Sequence, residues 1–368
     1  MYVEESPGGA SAIVGVATST TAFVGYIAQG EAGKAVGISS AAAFDADFGG
    51  LDRNSPLSYA VHQFFDNGGG HALVVRAQDG NAPTIIEAME VLRDVDLFNL
   101  LCVPDTFAMS ESDAASVATA AAQLCEDRRA FYIADAPAST TLSRIVAWAE
   151  TATTSRNAAV YFPAATFHDP LDGMGKRNMA PSGAIAGIYA RIDQTRGVWK
   201  APAGLDATLT GAFGLAVPLT DRDNSGINPS GINALRTFPN GHVVWGARTR
   251  RGADAQADEY KYVPVRRLAL FLEESIYRGT TWALFEPNDE PLWAKLRLNI
   301  GSFMHALFRQ GAFQGRAANE AWFVKCDATT TTASDISLGI VNLLVGFAPL
   351  KPAEFVVLKF HLASPLPP

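Results

Sequence analysis

One histidine–aspartate pair in this sequence could carry out acid–base chemistry. His168 and Asp169 are adjacent in the chain, and a histidine that is oriented by a carboxylate can serve as a general base. A hydrolytic site would also need a nucleophile. The sequence contains no Gly-x-Ser-x-Gly motif, and no cysteine lies close to the pair. We therefore interpret His168 and Asp169 as part of a surface loop.

Two glycine-containing stretches resemble phosphate-binding loops only superficially. A nucleotide site needs glycines that follow a strand and open a helix, because the free N–H groups at the helix start face the phosphate. At residues 67–70 the predicted order is helix, glycines, strand, which favours a tight turn. At residues 173–177 the lysine is followed by arginine, not by serine or threonine, which favours a flexible surface loop.

Metal and redox chemistry are not predicted either. The six histidines never occur at i,i+4 spacing, which makes a helical metal site improbable. Cys102, Cys125 and Cys326 are too scattered for a zinc site or a disulfide framework. They are predicted to be buried free thiols, consistent with assembly in a reducing cytoplasm. The sequence therefore predicts no cofactor and no enzyme activity.

The densest basic positions lie in the second half of the chain and are all arginines: Arg248, Arg250, Arg251, Arg266 and Arg267. One interpretation is a solvated loop and a helix start whose arginines pair with acidic residues nearby, such as Glu273 and Glu274. The other is an intermolecular salt-bridge surface, because a guanidinium group suits bidentate pairing with a carboxylate. The sequence leaves both open.

The hydrophobic pattern predicts the elements that would position these residues. In the first half, helical periodicity alternates with short apolar runs at 72–77, 97–103, 130–134 and 158–162. This alternation predicts a mostly parallel sheet flanked by helices. Beyond residue 170 the pattern predicts helices at 182–194, 265–278 and 291–310. Antiparallel strands are predicted to follow at 321–326, 341–347 and 354–360.

Both ends of the chain carry segments that are predicted to pair with other chains. The C-terminal run is apolar on both faces and comprises Phe355, Val356, Val357, Leu358, Lys359 and Phe360. The N-terminal arm is rich in small and β-prone residues, among them Ile13, Val14 and Val16. Terminal strands present unpaired edges that recruit a neighbouring chain. We therefore predict inter-subunit strand exchange at both ends. The flexible links are predicted to be Gly8, Gly9, Ala10, Gly25 and Gly30.

The composition limits the classes of protein and partner. At 368 residues, with 48% hydrophobic and 18% charged residues, the chain can form two or three packed units. A net charge of −8 argues against nucleic acid as the main partner. Glu4 and Glu5 stand where a signal peptide would be basic. No apolar stretch reaches the roughly 20 residues that span a bilayer, so no membrane insertion is predicted.

Eight short motifs, in chain order, resemble those of contractile tail sheath proteins. They occupy residues 2–5 with 17–25, 64–70, 73–76, 181–191, 196–204, 245–249, 285–288 and 348–355. Examples are the Phe-Glu-Pro-Asn motif that begins at Phe285 and the Trp-Gly-Ala-Arg-Thr motif that begins at Trp245. Each motif alone is weak evidence, but their shared order spans residues 2 to about 362.

The resemblance implies a structural role. A sheath subunit would stack with other copies as hexameric rings around an inner tube protein, and contraction would drive that tube through a target cell envelope. Baseplate and terminal cap proteins would be the further partners. Assembly would occur in the bacterial cytoplasm, as part of a phage tail or of a phage-derived injection particle. The resemblance also implies that the terminal strands are lent to the sheets of neighbouring subunits.

We therefore predict an α/β (α+β) fold. Residues 1–44 are expected to form an N-terminal arm, residues 45–170 an α/β body with a mostly parallel sheet, and residues 171–352 a helix-rich unit. This second, discontinuous unit would carry a terminal sheet, and residues 353–368 would form a C-terminal strand arm. One alternative is a non-contractile shell or adaptor protein with the same strand exchange. The other is a doubly wound α/β enzyme, which would need a crevice of suitably spaced titratable groups that the sequence does not offer.

Overall fold

A computed structural model describes residues 12–354 of the chain. The strands are β1 Thr21–Tyr26, β2 Ala35–Ile38, β3 Ala72–Ala77, β4 Leu100–Cys102, β5 Phe131–Asp135, β6 Ala158–Phe162, β7 Ala165–Asp169, β8 Gly175–Met179, β9 Ala212–Leu215, β10 Ile232–Phe238, β11 Gly241–Val244, β12 Trp322–Lys325 and β13 Leu344–Phe347. The helices are α1 Ala41–Phe48, α2 Pro56–Asp66, α3 Ala82–Met89, α4 Glu111–Asp127, α5 Ile145–Ala152, α6 Ser182–Arg196, α7 Asp221–Ile227, α8 Val263–Gly279, α9 Glu290–Arg309, α10 Ala318–Ala321 and α11 Ala333–Ser337.

An eight-stranded sheet forms the centre of the fold, in the order β11-β10-β6-β5-β4-β1-β3-β2. The pairs from β10 to β3 are parallel, whereas β2 and β11 pair antiparallel with their neighbours at the two edges. The mostly parallel sheet that the helix–strand alternation predicted is therefore confirmed. Helices cover both faces of the sheet, as parallel strands require.

The sheet contains strands from outside residues 45–170. β1, which the sequence analysis assigned to the N-terminal arm, lies between β3 and β4. Gly25 is therefore a residue of an interior strand, and a Cβ atom there would lie 2.1 Å from the Asp105 carboxylate. The prediction that Gly25 is a flexible link is wrong. β10 and β11 likewise extend the sheet from beyond residue 170, and the domain boundaries stay a prediction.

Side chains alternate between two cores, one on each face of the sheet. On one face Val24, Leu101 and Val160 pack with helices α3, α4 and α5. On the other face their neighbours Phe23, Leu100 and others pack with α2 and α6. The strands β1, β4, β5 and β6 are buried at almost every position, which explains why their sequences are nearly continuous apolar runs.

A third core joins the C-terminal elements. Leu268 and Leu272 of α8 pack against Ile300, Phe303 and other side chains of α9, and the antiparallel pair β12–β13 covers this core. The antiparallel strands predicted at 321–326 and 341–347 are confirmed, with shorter bounds. Because Val263 and Leu270 of the same helix belong to the sheet core, α8 connects the C-terminal elements to the sheet.

Candidate functional site

A buried arginine, Arg248, binds Glu354, the last residue that the structure describes. The Arg248 side chain is fully buried, and its Nε and Nη2 atoms donate to the two carboxylate oxygens of Glu354, each at 2.7 Å. Its Nη1 atom donates to the carbonyl oxygens of Asn228 and Gly252 and to Asp254 Oδ1. Burial alone would lower the pKa of Arg248, but the hydrogen bonds and charge of Glu354, together with Asp254, raise it.

The sheet positions Arg248 through its backbone. The Arg248 N–H donates to Asn233 Oδ1 at 2.7 Å, and the Asn233 amide donates back to the Arg248 carbonyl oxygen at 2.8 Å. Asn233 lies on β10 and is itself fully buried. Tyr262 adds a hydrogen bond from its hydroxyl group to Glu354 Oε2 at 3.1 Å. These contacts fix Glu354, the base of the C-terminal arm, to the edge of the sheet.

A second buried pair holds the base of the N-terminal segment. Arg267 on α8 donates two hydrogen bonds to Asp193 on α6, at 2.9 and 2.6 Å, and each side chain is only 3% exposed. Thr18 joins the pair, since its hydroxyl donates to Asp193 at 2.7 Å and its carbonyl oxygen accepts from Arg267 at 2.8 Å. Thr18, near the N-terminal end of the described residues, and Glu354, at their C-terminal end, are therefore each held by a buried arginine.

The predicted strand-exchange residues of the N-terminal arm pack against α8 of the same chain. Ile13 is buried and a Cβ on Gly279 would lie 2.6 Å from it, while the Val16 N–H donates to Ser275 Oγ at 3.1 Å. Val14 is exposed. Residues 12–20 have no strand assignment. The predicted C-terminal exchange residues, Phe355, Val356, Val357, Leu358, Lys359 and Phe360, lie outside the described residues. Strand exchange therefore stays a prediction.

The five arginines predicted as a possible intermolecular surface are mostly internal. Arg248, Arg250, Arg266 and Arg267 are buried, so in the single chain they do not form an exposed surface. Arg250 donates to the carbonyl oxygens of Thr153, Ser230 and Gly231, and burial lowers its pKa to about 10. Arg266 pairs with Asn157 and Glu273. Only Arg251 among the five is exposed.

Sequence reasoning missed the acidic partners of these arginines. Asp193 lies 74 residues before Arg267, and Glu354 lies 106 residues after Arg248. Local spacing gave no signal for either pair. The predicted pairing with acidic residues nearby holds for Arg266, which pairs with Glu273, and for Arg248, which pairs with Asp254 as well as with Glu354. Glu354 is the first residue of the strand predicted at 354–360. A charged side chain at the start of an apolar run is the one local feature that indicates a buried cationic partner.

The groups that could have carried chemistry have structural roles. His168 lies in β7, with its Nδ1 atom 2.8 Å from the Met174 carbonyl oxygen. Asp169 accepts from Tyr59 at 2.8 Å and pairs with Arg177, so it does not orient His168. Asp135 is buried and accepts from the Ser182 N–H at 2.9 Å, and burial raises its pKa to about 7. The interpretation of His168 and Asp169 as part of a surface loop is wrong, because both lie in β7 and Asp169 is buried. The loop predicted at residues 173–177 is also wrong in part, because β8 begins at Gly175.

Residues 12–354 contain neither a metal-binding cluster nor a membrane-spanning helix. That part of the chain has no group of three or more histidine, cysteine, aspartate or glutamate side chains that could hold a metal ion. It also has no helix that is long and apolar enough to cross a membrane. The three cysteines are free and buried, as predicted, and burial raises their pKa.

Two family models match this chain over more than two thirds of its length. The phage tail sheath protein central domain matches residues 80–250, and the phage tail sheath C-terminal domain matches residues 255–363. The chain belongs to the phage tail sheath protein family. Proteins of this family are structural subunits and not enzymes, as the resemblance of the eight motifs implied.

Solved structures of sheath proteins are similar along almost the whole chain. A chain from the anti-feeding prophage baseplate is 30% identical, with a TM-score of 0.81, and the match covers 99% of this chain and 98% of that one. A chain from the PVC sheath complex of an extracellular contractile injection system, in the contracted state, is 29% identical. Its TM-score is 0.83, and the match covers 98% of this chain and 96% of that one. The tail sheath fold follows from these matches.

A curated phage relative is much longer. The tail sheath protein of Vibrio phage KVP40 is 29% identical over 185 residues, which is 50% of this chain. The match covers 26% of the phage protein. The matched part of this sheath protein therefore spans about a quarter of the length of that relative.

Proposed function

We propose that this protein is the structural subunit of a contractile sheath. Copies would assemble as stacked hexameric rings around an inner tube protein, and contraction would drive the tube through a target cell envelope. The baseplate and terminal cap proteins would bind the ends of the polymer. The particle would be a phage tail or a phage-derived injection system that assembles in the bacterial cytoplasm.

The near-complete match to the contracted sheath complex is the observation that carries this proposal. It covers 98% of this chain and 96% of the other, with a TM-score of 0.83. The segments beyond the family's central domain therefore also have counterparts in a protein that forms such a sheath. A non-contractile shell or adaptor protein would not be expected to match a contractile sheath protein over almost its whole length.

The two arm bases support a role for the arms as links between subunits. A link that transmits force must be attached to the folded body, and the buried Arg248–Glu354 and Asp193–Arg267 pairs would supply such attachment near the two arms. Each strand that a neighbour accepts would add ladder hydrogen bonds worth about 1 kcal/mol net apiece, plus apolar burial. The folded bodies could then rotate between two discrete packings while the links remain joined.

The test is the assembly of the purified full-length chain, followed by sedimentation and electron microscopy. We expect hollow cylinders or rings. Val357→Pro should abolish them, because proline removes a ladder donor in the middle of the proposed exchange strand. Lys359→Ala is the matched control, since it removes only a charge and should assemble normally. Stable monomers of the wild-type chain at high concentration would refute the proposal.

A further inference from the structure

An exposed phenylalanine lies in a strained turn between α8 and α9. The Phe285 ring is as exposed as in an extended chain, at 105%, and Leu284 beside it is 66% exposed. The backbone of Phe285 has φ +70°, a region that bulky side chains rarely adopt. Neither the exposed aromatic ring nor the left-handed backbone stabilises the single chain. Such outliers persist where the surrounding structure over-determines them, often at binding sites.

The turn that presents Phe285 is anchored on its C-terminal side. Asn288 donates to the Ile340 carbonyl oxygen at 2.9 Å and accepts from the Trp293 indole N–H at 2.8 Å. Asp289 caps α9 by accepting from the Leu292 N–H at 3.2 Å. The Phe-Glu-Pro-Asn motif therefore consists of an anchored half, at Asn288, and a projecting half, at Phe285. Aromatic side chains, phenylalanine among them, are enriched at protein interfaces relative to the rest of the surface.

A cavity of about 720 Å³ lies near the other end of α9. Its apolar walls include Trp199, Trp245, Leu350 and Pro352, and Gln310 and Gly311, which follow the last residue of α9, also line it. The Trp199 ring is fixed over Gly197, where a Cβ atom would lie 2.4 Å from it. The volume falls in the range of ligand-binding clefts, about 300–1,000 Å³.

The charges around the projection and the cavity are complementary. Glu286 and Asp289 flank the projection, and both are exposed. The cavity is lined by three cations, Arg196, Lys200 and Lys351, and by one carboxylate, Glu354, which is paired with the buried Arg248. Arg196 is 3.9 Å from Asp206, and the Lys200 ammonium group donates to the Ala201 carbonyl oxygen. Burial and the charge of Arg196 lower the pKa of Lys200, and the charge of Asp206 only partly opposes this shift.

The projection and the cavity cannot meet within one molecule. α9 has 20 residues, so its ends are about 30 Å apart. A contact between the two surfaces must therefore join two copies head to tail. A heterologous contact of this kind generates rings or open helical polymers rather than closed dimers.

We propose that Phe285 of one subunit inserts into the Trp199–Trp245 cavity of a second copy of this chain, with Glu286 and Asp289 facing Arg196, Lys200 and Lys351. This inference rests on the proposed function, because it assigns one of the contacts of the sheath polymer. The inner tube protein is the competing occupant for Phe285.

Truncation of the side chain tests the energetic part of the proposal. Phe285→Ala should raise the critical concentration for assembly on the order of tenfold to a hundredfold, as expected for an aromatic interface anchor. Phe285→Gly should raise the critical concentration by a similar factor. Because glycine tolerates the positive φ at this position, the melting temperature of this variant should equal or exceed that of the wild type. Leu171→Ala, at another exposed apolar position, is the control and should assemble normally. Normal assembly of Phe285→Ala would overturn the proposal.

Cross-linking tests the geometric part. Copies with Phe285→Cys are mixed with copies that carry Leu350→Cys, assembled with the inner tube protein, and treated with a short bis-maleimide. The native cysteines are buried, so the background should be low. A dimer that contains both variants is expected. Equal yield with Leu171→Cys, or cross-linking of Phe285→Cys to the tube protein instead, would overturn the proposal. If either of these cross-linking results occurs while normal sheaths form, the proposed sheath function still stands. If the wild-type chain fails to polymerise, both the Phe285 contact and the sheath function are overturned.

Discussion

At the scale of single residues, the buried arginine–carboxylate pairs differ from the salt bridges on the surface. Asp193 and Arg267 are each 3% exposed, whereas Arg196 and Asp206 are 57% and 70% exposed at a separation of 3.9 Å. A buried charge that loses its partner keeps its desolvation cost, but an exposed charge is solvated by water. The two kinds of pair should therefore respond very differently to the loss of one partner.

We predict that Asp193→Asn lowers the free energy of unfolding by about 3–5 kcal/mol, because Arg267 stays buried without a counter-charge. Asp206→Asn is the matched control and should cost less than about 1 kcal/mol. Urea unfolding of both variants, followed by circular dichroism, measures the difference. Similar small losses for the two variants would show that Arg267 finds another partner or reaches water.

Asp135 should make stability depend on pH. Burial raises its folded pKa to about 7, whereas an unfolded aspartate has a pKa of about 3.9. The folded state then favours the protonated acid, so this contribution is fully present below pH 4 and is lost as the pH rises through 7. Asp135→Asn keeps an oxygen acceptor for the Ser182 N–H and removes the titration.

We therefore predict that Asp135→Asn gains stability relative to the wild type between pH 4 and pH 7. The gain should reach up to about 4 kcal/mol, because one pKa unit corresponds to about 1.4 kcal/mol. Thermal or urea unfolding at a series of pH values measures it. Asp105, whose pKa burial also raises to about 7, is present in both proteins and cancels. A difference that does not change with pH would contradict this assignment.

At the scale of secondary structure, the contact between α2 and α6 depends on glycine. A Cβ atom at Gly183 of α6 would lie 2.1 Å from the Ala60 carbonyl oxygen of α2. The neighbouring atoms are backbone, so the two helices would have to separate. Gly226 in α7 has no atom within 4 Å of such a Cβ. Both residues are helical, but only Gly183 is needed for packing.

Gly183→Ala should therefore destabilise the chain by about 1–3 kcal/mol or more through overpacking. Gly226→Ala should stabilise it by up to about 1 kcal/mol, because alanine has the higher helix propensity. The measurement is the shift in melting temperature of the two variants. Two shifts of the same sign would show that helix propensity, and not the approach of α2 to α6, determines the effect at Gly183.

The sequence predicted most elements but not the order of the strands. Local periodicity indicated the helices near 182–194 and 265–278 and the strands at 72–77 and 158–162, which the structure contains with similar bounds. It did not indicate that Thr21–Tyr26 inserts between two later strands. Strand order depends on contacts between distant residues, which no local pattern encodes. The bases of the arms were missed for the same reason.

At the scale of the whole molecule, the anchoring of Thr18 limits how the N-terminal arm can act. Because β1 begins at Thr21 inside the sheet and Thr18 is held by Asp193 and Arg267, residues 18–26 belong to the body. Any tether to a neighbouring subunit must therefore lie before Ile13, whose side chain packs against Gly279. The glycines at positions 8 and 9 are the candidates.

A lengthened tether should uncouple the rings without unfolding the subunit. Inserting two or three Gly-Ser residues between positions 9 and 10 should leave the melting temperature unchanged, because loop lengthening costs little closure entropy. A longer link would transmit less of one ring's rotation to the next, so sheaths should form but contract incompletely after acid or mild denaturant. The same insertion at Gly173, an exposed turn, is the control. Electron micrographs of sheath length before and after the trigger measure the effect. Full contraction to the normal length would mean that the coupling passes through contacts between the bodies and not through the arm.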